Sequence, residues 1–319
     1  MIYKNLGQSG LQISAISLGS WMTFGQKVDD ATTEECMTAA YEGGINFFDG
    51  AEAYGAGAAE EAMGRVFKKT GWRRDSLILS GKVNPNAGCG PMPTQKGLNR
   101  KHVRDCCDQT LQRLGVDYLD LYLCHRPDPK TPLLETLQAM NELIQQGKVL
   151  YWGTSEFSPG ELMELWRLSE RYGLIGPSVE QCSYNMVGRE KIDVKLAAVI
   201  DEYGIGTTVY SPLAGGILTG KYNDGIPEGT RFDTDTQWLR NQLNDGMIAK
   251  SRQLGEVAAE LGCSQAQLAL AWILKNDRVS TCLTGSTRVG QVHDNLEAVE
   301  VVDRLSDEVM ARIETILNG

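Results

Sequence analysis

Short continuous apolar runs alternate with longer amphipathic stretches from about residue 15 to the end of the chain. The runs cover residues 15–18, 46–48, 77–80, 118–123, 149–153, 178–180, 206–210 and 281–283. Apolar continuity, rather than apolar-polar alternation, marks strands covered on both faces of a parallel sheet. Ahead of them, residues 2–6 and 11–14 flank Gly7 to Gly10 and predict a β-hairpin with a glycine turn. The stretches between the runs carry helix punctuation. Ser158-Pro159-Gly160-Glu161 joins an N-cap serine, a proline at the first helical position and a capping-box glutamate, with Gly173 at the far end. Thr131-Pro132 opens another helix that closes near Gly147, its stripe being Leu133, Leu137, Met140 and Leu143. Ser264 to Gln267 forms a second box, and Asn99 caps a helix ending near Gly115. Asp30 or Thr32 caps the helix before Gly43 and Gly44, and a last helix follows Ser306.

This repetition predicts an α/β fold, a (β/α)8 TIM barrel, as a single domain over residues 1–319 with an N-terminal hairpin and extra C-terminal helices. A doubly wound open sheet would carry a glycine-rich turn after its first strand, where Leu18-Gly19-Ser20-Trp21 stands instead. Only residues 222–246, rich in Asp, Gly, Thr and Asn, are long and irregular enough for a lid or binding loop.

Composition narrows the partners. The chain is 42% hydrophobic and 23% charged, with 31 basic against 41 acidic residues, a net charge of −10. That balance argues against nucleic acid or an anionic membrane as the main partner, so an anionic ligand needs a local basic pocket. The eight cysteines show no CxxC pair and no spacing to histidine that builds a metal site, and read as reduced packing thiols. The opening MIYKNLGQSGLQIS has neither the layout of a secretory signal nor a spanning run, which predicts a cytoplasmic protein.

Two motifs imitate nucleotide loops. Gly55-Ala56-Gly57-Ala58-Ala59-Glu60 has Glu60 where a dinucleotide fingerprint has its third glycine, and reads better as a glycine loop entering a helix. GGILTGK, residues 215–221, is followed by Tyr222 rather than the Ser or Thr that would ligate magnesium; Lys221 remains a candidate phosphate contact.

The most informative residues are Asp49, Tyr54, Lys82 and His125, each near the end of a strand candidate and hence at one face of a barrel. A phenol is a weak acid at neutral pH; a lysine beside it lowers its pKa, and a carboxylate keeps that lysine charged and in place. A histidine N–H can orient a substrate carbonyl, given the right tautomer. Singly, each has a plain alternative: a turn cap, a half-buried aromatic, a solvated lysine, a structural histidine. Their convergence points to carbonyl reduction.

The ordered stretches GSWMTFG at 19–25, NFFDGAEAYG at 46–55, SGKV at 80–83, GLNRKHV at 97–103, RLGVDYLDLYLCHRPDP at 113–129, YWGTSEFS at 151–158, VEQCSYN at 179–185, YSPLAGGILTGKY at 210–222 and TGSTRVGQVHDNLEA at 284–298 resemble the aldo-keto reductase superfamily, in the branch that includes potassium-channel β-subunits. The resemblance spans essentially the whole chain. It implies Tyr54 as general acid, Lys82 and Asp49 as its partners, His125 as orienting donor and NADP(H) as cofactor across the barrel mouth. It implies Ser155 and Gln181 at the carboxamide, Tyr210 stacked on the nicotinamide, and Ser20 and Trp21 nearby. Ser211, Pro212, Leu213, Gly215, Lys221 and Arg231 would surround the pyrophosphate, and Gly285, Thr287, Arg288, Gln291, Asp294 and Asn295 the adenosine end. Trp21, Phe24 and Trp238 are candidates for an apolar substrate wall.

The chain also departs from the family pattern. Glu156 stands where many members have Asn beside the carboxamide. Gly285 and Gln291 replace a Lys and an Arg often found at the 2′-phosphate, where Arg288 is the available substitute. His125 stands where channel β-subunits typically carry Asn. The expectation is an NADPH-dependent reductase of aldehydes or ketones, active as a homo-oligomer, with a tetramer implied by the branch. The alternative is a redox-sensing subunit docked on a membrane channel, less favoured because of His125.

Overall fold

The computed structural model describes residues 1–88, 90–233 and 243–319. A two-stranded antiparallel hairpin, β1 (Tyr3–Asn5) and β2 (Gln12–Ser14), precedes the barrel. Eight parallel strands follow: β3 (Ile16–Gly19), β4 (Phe47–Asp49), β5 (Ile78–Val83), β6 (Leu119–Cys124), β7 (Val149–Ser155), β8 (Val179–Ser183), β9 (Gly206–Tyr210) and β10 (Thr281–Thr284). They close in chain order, β10 pairing with β3. The strands match the apolar runs with ends shifted by at most three residues; β5 runs past its apolar part to take in Lys82.

The helices between strands are α1 (Asp30–Glu42), α2 (Ala58–Thr70), α3 (Arg100–Leu114), α4 (Leu133–Gln145), α5 (Pro159–Tyr172), α6 (Ala197–Tyr203), α7 (Asp245–Glu260) and α8 (Gln265–Leu274), with α9 (Val289–Val301) and α10 (Asp307–Asn318) after the last strand. Both capping boxes form, at Ser158 and Ser264, and Asn99 accepts from His102 N–H. The cap of α1 is Asp29, one residue earlier than expected: its carboxylate takes the Thr32 N–H at 2.8 Å. Helix α7 takes in Gly246, so helix replaces the far end of the irregular stretch.

Alternation along the strands explains how one sequence makes both a core and a site. The inward column of β4 runs from Phe47 to Asp49, that of β5 from Ile78 through Ser80 to Lys82, and that of β6 from Leu121 through Leu123 to His125. Phe47, Ile78, Leu121, Leu123, Val179 and Leu283 pack with Leu6 and Ile13 of the hairpin, which plugs one end of the barrel. The polar tops of the same columns face the other end. Outward side chains join the helices in the main core, where Leu137, Met140 and Leu143 of the expected α4 stripe lie buried. The seven described cysteines are all free thiols, six of them buried; Cys89 lies outside the described residues.

Candidate active site

Lys82 is fully buried, and its Nζ donates to Asp49 Oδ2 at 2.6 Å, Gly50 O at 2.8 Å and the Tyr54 hydroxyl at 3.1 Å. All three ammonium hydrogens are thereby used. The other Asp49 oxygen accepts from Ser80 Oγ at 2.7 Å and Gln181 Nε2 at 3.1 Å. Register delivers this: Asp49 sits beside Ser80, and Lys82 lies one inward step further along β5. Tyr54 comes from the 3-10 turn Tyr54–Gly57 after β4. His125 lies just past β6, its ring edge-on to Tyr54 with centroids 5.5 Å apart at 80°.

The His125 tautomer follows from its neighbour. Asn84 Oδ1 accepts two backbone N–H groups, from Asn86 at 2.9 Å and Ala87 at 3.2 Å. Its NH2 therefore faces His125 Nδ1, at 3.2 Å. Nδ1 accepts, so the proton sits on Nε2, free to donate into the mouth.

Burial drives the titration of the group. It pushes the Tyr54 phenol above its ordinary value despite the opposing charge of Lys82, a correction to the expected net lowering. The phenol thus holds its proton throughout the neutral range. Burial is the largest single influence on the Lys82 ammonium and works against it, but the charges and hydrogen bonds of Asp49 and Tyr54 together outweigh it and the net shift is upward. Burial first, then the charges of Lys82 and Arg126, hold His125 well below the usual imidazole range, so its ring is neutral.

Of the residues implied for the cofactor, Ser155 and Gln181 are adjacent across β7 and β8. Ser20 is buried, its hydroxyl donating to Asp49 O at 2.8 Å. Tyr210 donates its hydroxyl to Glu156 Oε1 at 2.9 Å. Ser211 has a positive φ of 54°, with Gly215 and Gly216 at 69° and 102° in the short helical turn after Pro212 and Leu213. Lys221 is exposed. The Arg231 guanidinium lies 5.3 Å from the Trp21 ring centre, joining the loops after β3 and β9. Gly285, Thr287 and Arg288 lie at the start of α9, where Thr287 N donates to Gln291 at 2.8 Å. Asn295 is buried, and Asp294 accepts from Gln267 at 2.9 Å, tying α9 to α8. Phe24 sits in the main core, a packing position, rather than standing exposed at the mouth as Trp21 does. Trp238 lies outside the described residues.

The aldo/keto reductase family profile matches residues 15–318. The chain belongs to the aldo/keto reductase family. Similar proteins include a "Probable voltage-gated potassium channel subunit beta" of Arabidopsis thaliana, 43% identical over all of this chain and 97% of that protein. A rice protein of the same name is 42% identical over the whole chain. A "Putative voltage-gated potassium channel subunit beta" of Schizosaccharomyces pombe is 42% identical over 99% of this chain and 93% of its own. The family is one of oxidoreductases.

Within this aldo/keto reductase, Glu156, known from the sequence only as a departure, acquires partners, and Arg126, Asn84 and Glu52 join the surroundings of the tetrad. Glu156, at a φ of 63°, accepts from Ser183 N–H at 2.9 Å, Tyr210 and Lys191 Nζ at 2.7 Å. Arg126 follows His125 and donates to the His125 carbonyl at 2.6 Å and to Ser155 Oγ at 3.1 Å. Behind Asn84, Glu52 accepts the Asn84 N–H at 2.6 Å and lies 3.5 Å from His102 Nε2. Glu52, His102 and Cys106 bring potential ligand atoms within 4.8 Å of one another. Burial lowers the His102 pKa, but the hydrogen bonds to Glu52 and to Gly97 O, the latter from Nδ1 at 2.7 Å, raise it on balance, so a Glu52–His102 hydrogen bond accounts for the cluster. Position just after a strand end was the one sequence signal for Arg126. Nothing local marked Asn84, and Glu156 was marked only as a departure from the family pattern.

Proposed function

We propose that this protein is an NADPH-dependent reductase that converts aldehyde or ketone carbonyls to alcohols. The observation that carries the reading is Lys82 bonded at once to Asp49 and to the Tyr54 hydroxyl, with the His125 ring edge-on to Tyr54. When bound, NADPH supplies the hydride to the carbonyl carbon. His125 donates to the carbonyl oxygen and orients it, and Tyr54 gives that oxygen its proton. The buried Lys82 charge stabilises the phenolate left behind, and Asp49 keeps the ammonium in place.

The residues present suit that cofactor. Gly215 and Gly216 hold the positive φ values of a loop that wraps an anion, and a Cβ on Gly285 would meet, among the described residues, only Thr23, at 3.9 Å. Beside Gly285, Ser286 Oγ and Thr23 Oγ1 are buried without a hydrogen-bond partner among the described residues. Helix α9 opens without a side-chain cap, leaving N-terminal N–H groups for a phosphate after the last barrel strand. The residues named for the pyrophosphate and adenosine would line this path, with Lys221, Arg231 and Arg288 its cations.

NADPH absorbance loss over a panel of aldehydes, ketones and quinones, repeated with NADH, tests the reading. Turnover should appear and drop about 10²- to 10⁴-fold in Tyr54→Phe, the usual contribution of a general acid. Full activity in Tyr54→Phe would sink it. The relatives' channel-subunit names favour a second reading, an NADP(H)-sensing subunit of a membrane channel. Tight NADPH binding with negligible turnover, and co-purification with a membrane protein, would select that one.

A further inference from the structure

The acidic groups around the mouth are each matched. Asp49 faces Lys82, with Ser80 and Gln181 on its second oxygen. Glu156 faces Lys191, and its other oxygen takes the Tyr210 hydroxyl and Ser183 N–H. Glu52 faces His102. Arg126 is the remainder. It is half-buried at the end of β6, and among the described residues no carboxylate lies within ion-pair distance of it. One terminal nitrogen holds it down, through the His125 carbonyl and Ser155 Oγ, while Nε and the second terminal nitrogen make no hydrogen bond among the described residues. The guanidinium therefore spans from β6 to β7. Its charge is felt by the Tyr54 phenol, the His125 ring and the Tyr210 phenol alike, which places it beside the reacting centre.

A fixed guanidinium with an open edge and no counter-charge, on a chain of net charge −10, is an anion receptor. We infer that Arg126 binds a carboxylate or phosphate carried by the carbonyl substrate, making oxo acids or phosphorylated aldehydes the preferred class. The inference rests on the reductase reading for its chemistry. The two open N–H edges match the paired oxygens of either anion, while the neutral Lys82–Asp49 unit leaves the reacting carbonyl no competing charge. The anion is anchored on the β7 side while the carbonyl points to Tyr54 and His125.

The test compares matched substrates, 4-oxobutanoate against butanal and glycolaldehyde phosphate against glycolaldehyde, with NADPH. In the native protein, kcat/KM should favour the anionic member of at least one pair by about 30-fold, the worth of one charge-assisted contact. The favoured pair tells carboxylate from phosphate. Arg126→Met should bring that ratio close to unity, and Arg126→Lys, which keeps charge but loses the fork, should leave an intermediate ratio. An unchanged ratio in Arg126→Met overturns the proposal, as does a preserved ratio with weakened NADPH binding, which would assign Arg126 to the cofactor. If no carbonyl is reduced at all, the reductase reading fails separately. Calorimetric titration of the NADP⁺-loaded protein with succinate and with inorganic phosphate then decides: binding lost in Arg126→Met supports the receptor, and no binding to the native protein overturns it.

Discussion

At the scale of single residues, the candidate site separates by environment the two groups proposed to act on the carbonyl oxygen. Tyr54 is raised and His125 lowered, both chiefly by burial. Reduction needs the phenol protonated, so its upper limb falls only as pH rises through a value above the ordinary tyrosine range near 10. The lower limb, where His125 would gain a second proton, falls only well below the usual 6.5. The expected log(kcat/KM) profile is a plateau across neutrality, wider at both ends than free tyrosine and histidine would give. A limb with a midpoint near the ordinary imidazole value would contradict it. Asn84 makes a second case. Its NH2 fixes the His125 tautomer, so Asn84→Leu should cost about tenfold in kcat/KM, one hydrogen bond's worth, with NADPH affinity held. The tetrad itself was legible because each member follows or ends an apolar run. Asn84 was not, since its role depends on which amide atom faces the ring, and that is set by the backbone of residues 86 and 87.

At the scale of elements, β7, β8, β9 and the π-helical turn Lys191–Lys195 are joined by a charge cluster that no local pattern announces. Glu180 points out of the barrel, wholly buried, with Thr154 Oγ1 donating at 2.5 Å and Phe157 N–H at 3.1 Å. Burial pushes its carboxyl to about 8, against the pull of Lys191, which lies 3.7 Å away. Because the folded pKa is raised, this group's contribution is fully present below the unfolded value of 4.5 and is lost as pH rises through about 8. Thermal melts of Glu180→Gln should therefore lose part of the decline in Tm that the parent shows between about pH 5 and about pH 8. An identical slope in both would refute the assignment. Strand and helix existence was readable at this scale from continuity, boxes and glycines. The ends were not: Lys82, next to last in β5, and Ser155, the last residue of β7, are polar because the inward column turns polar at the mouth, where apolarity stops reporting the strand.

At the scale of the whole molecule, the eight repeats and their order follow from the sequence, since parallel barrel strands have to be apolar on both faces. What the hairpin does could not be read, because its apolar positions look like those of any surface hairpin. In the fold Leu6 and Ile13 are fully buried among barrel side chains, at the end opposite Lys82. The seal is tied at its rim: Gln8 N–H donates to Gly204 O at 2.9 Å, and Lys4 Nζ to Leu274 O at 2.8 Å and Val279 O at 3.1 Å. Gly7, at a φ of 56°, lies so close that a Cβ would stand 2.2 Å from Gly204 O. The hairpin is thus part of the barrel core rather than an appendage, yet the polar inward layer separates it from the reacting centre. Ile13→Ala should cost about 2–4 kcal/mol in urea unfolding, the range for emptying a packed aliphatic site. Its kcat and NADPH affinity, measured at a temperature where the variant is folded, should stay within about twofold of the parent, a margin below 0.5 kcal/mol. A large drop in kcat without loss of stability would mean that the plug shapes the mouth, contrary to the separation seen here.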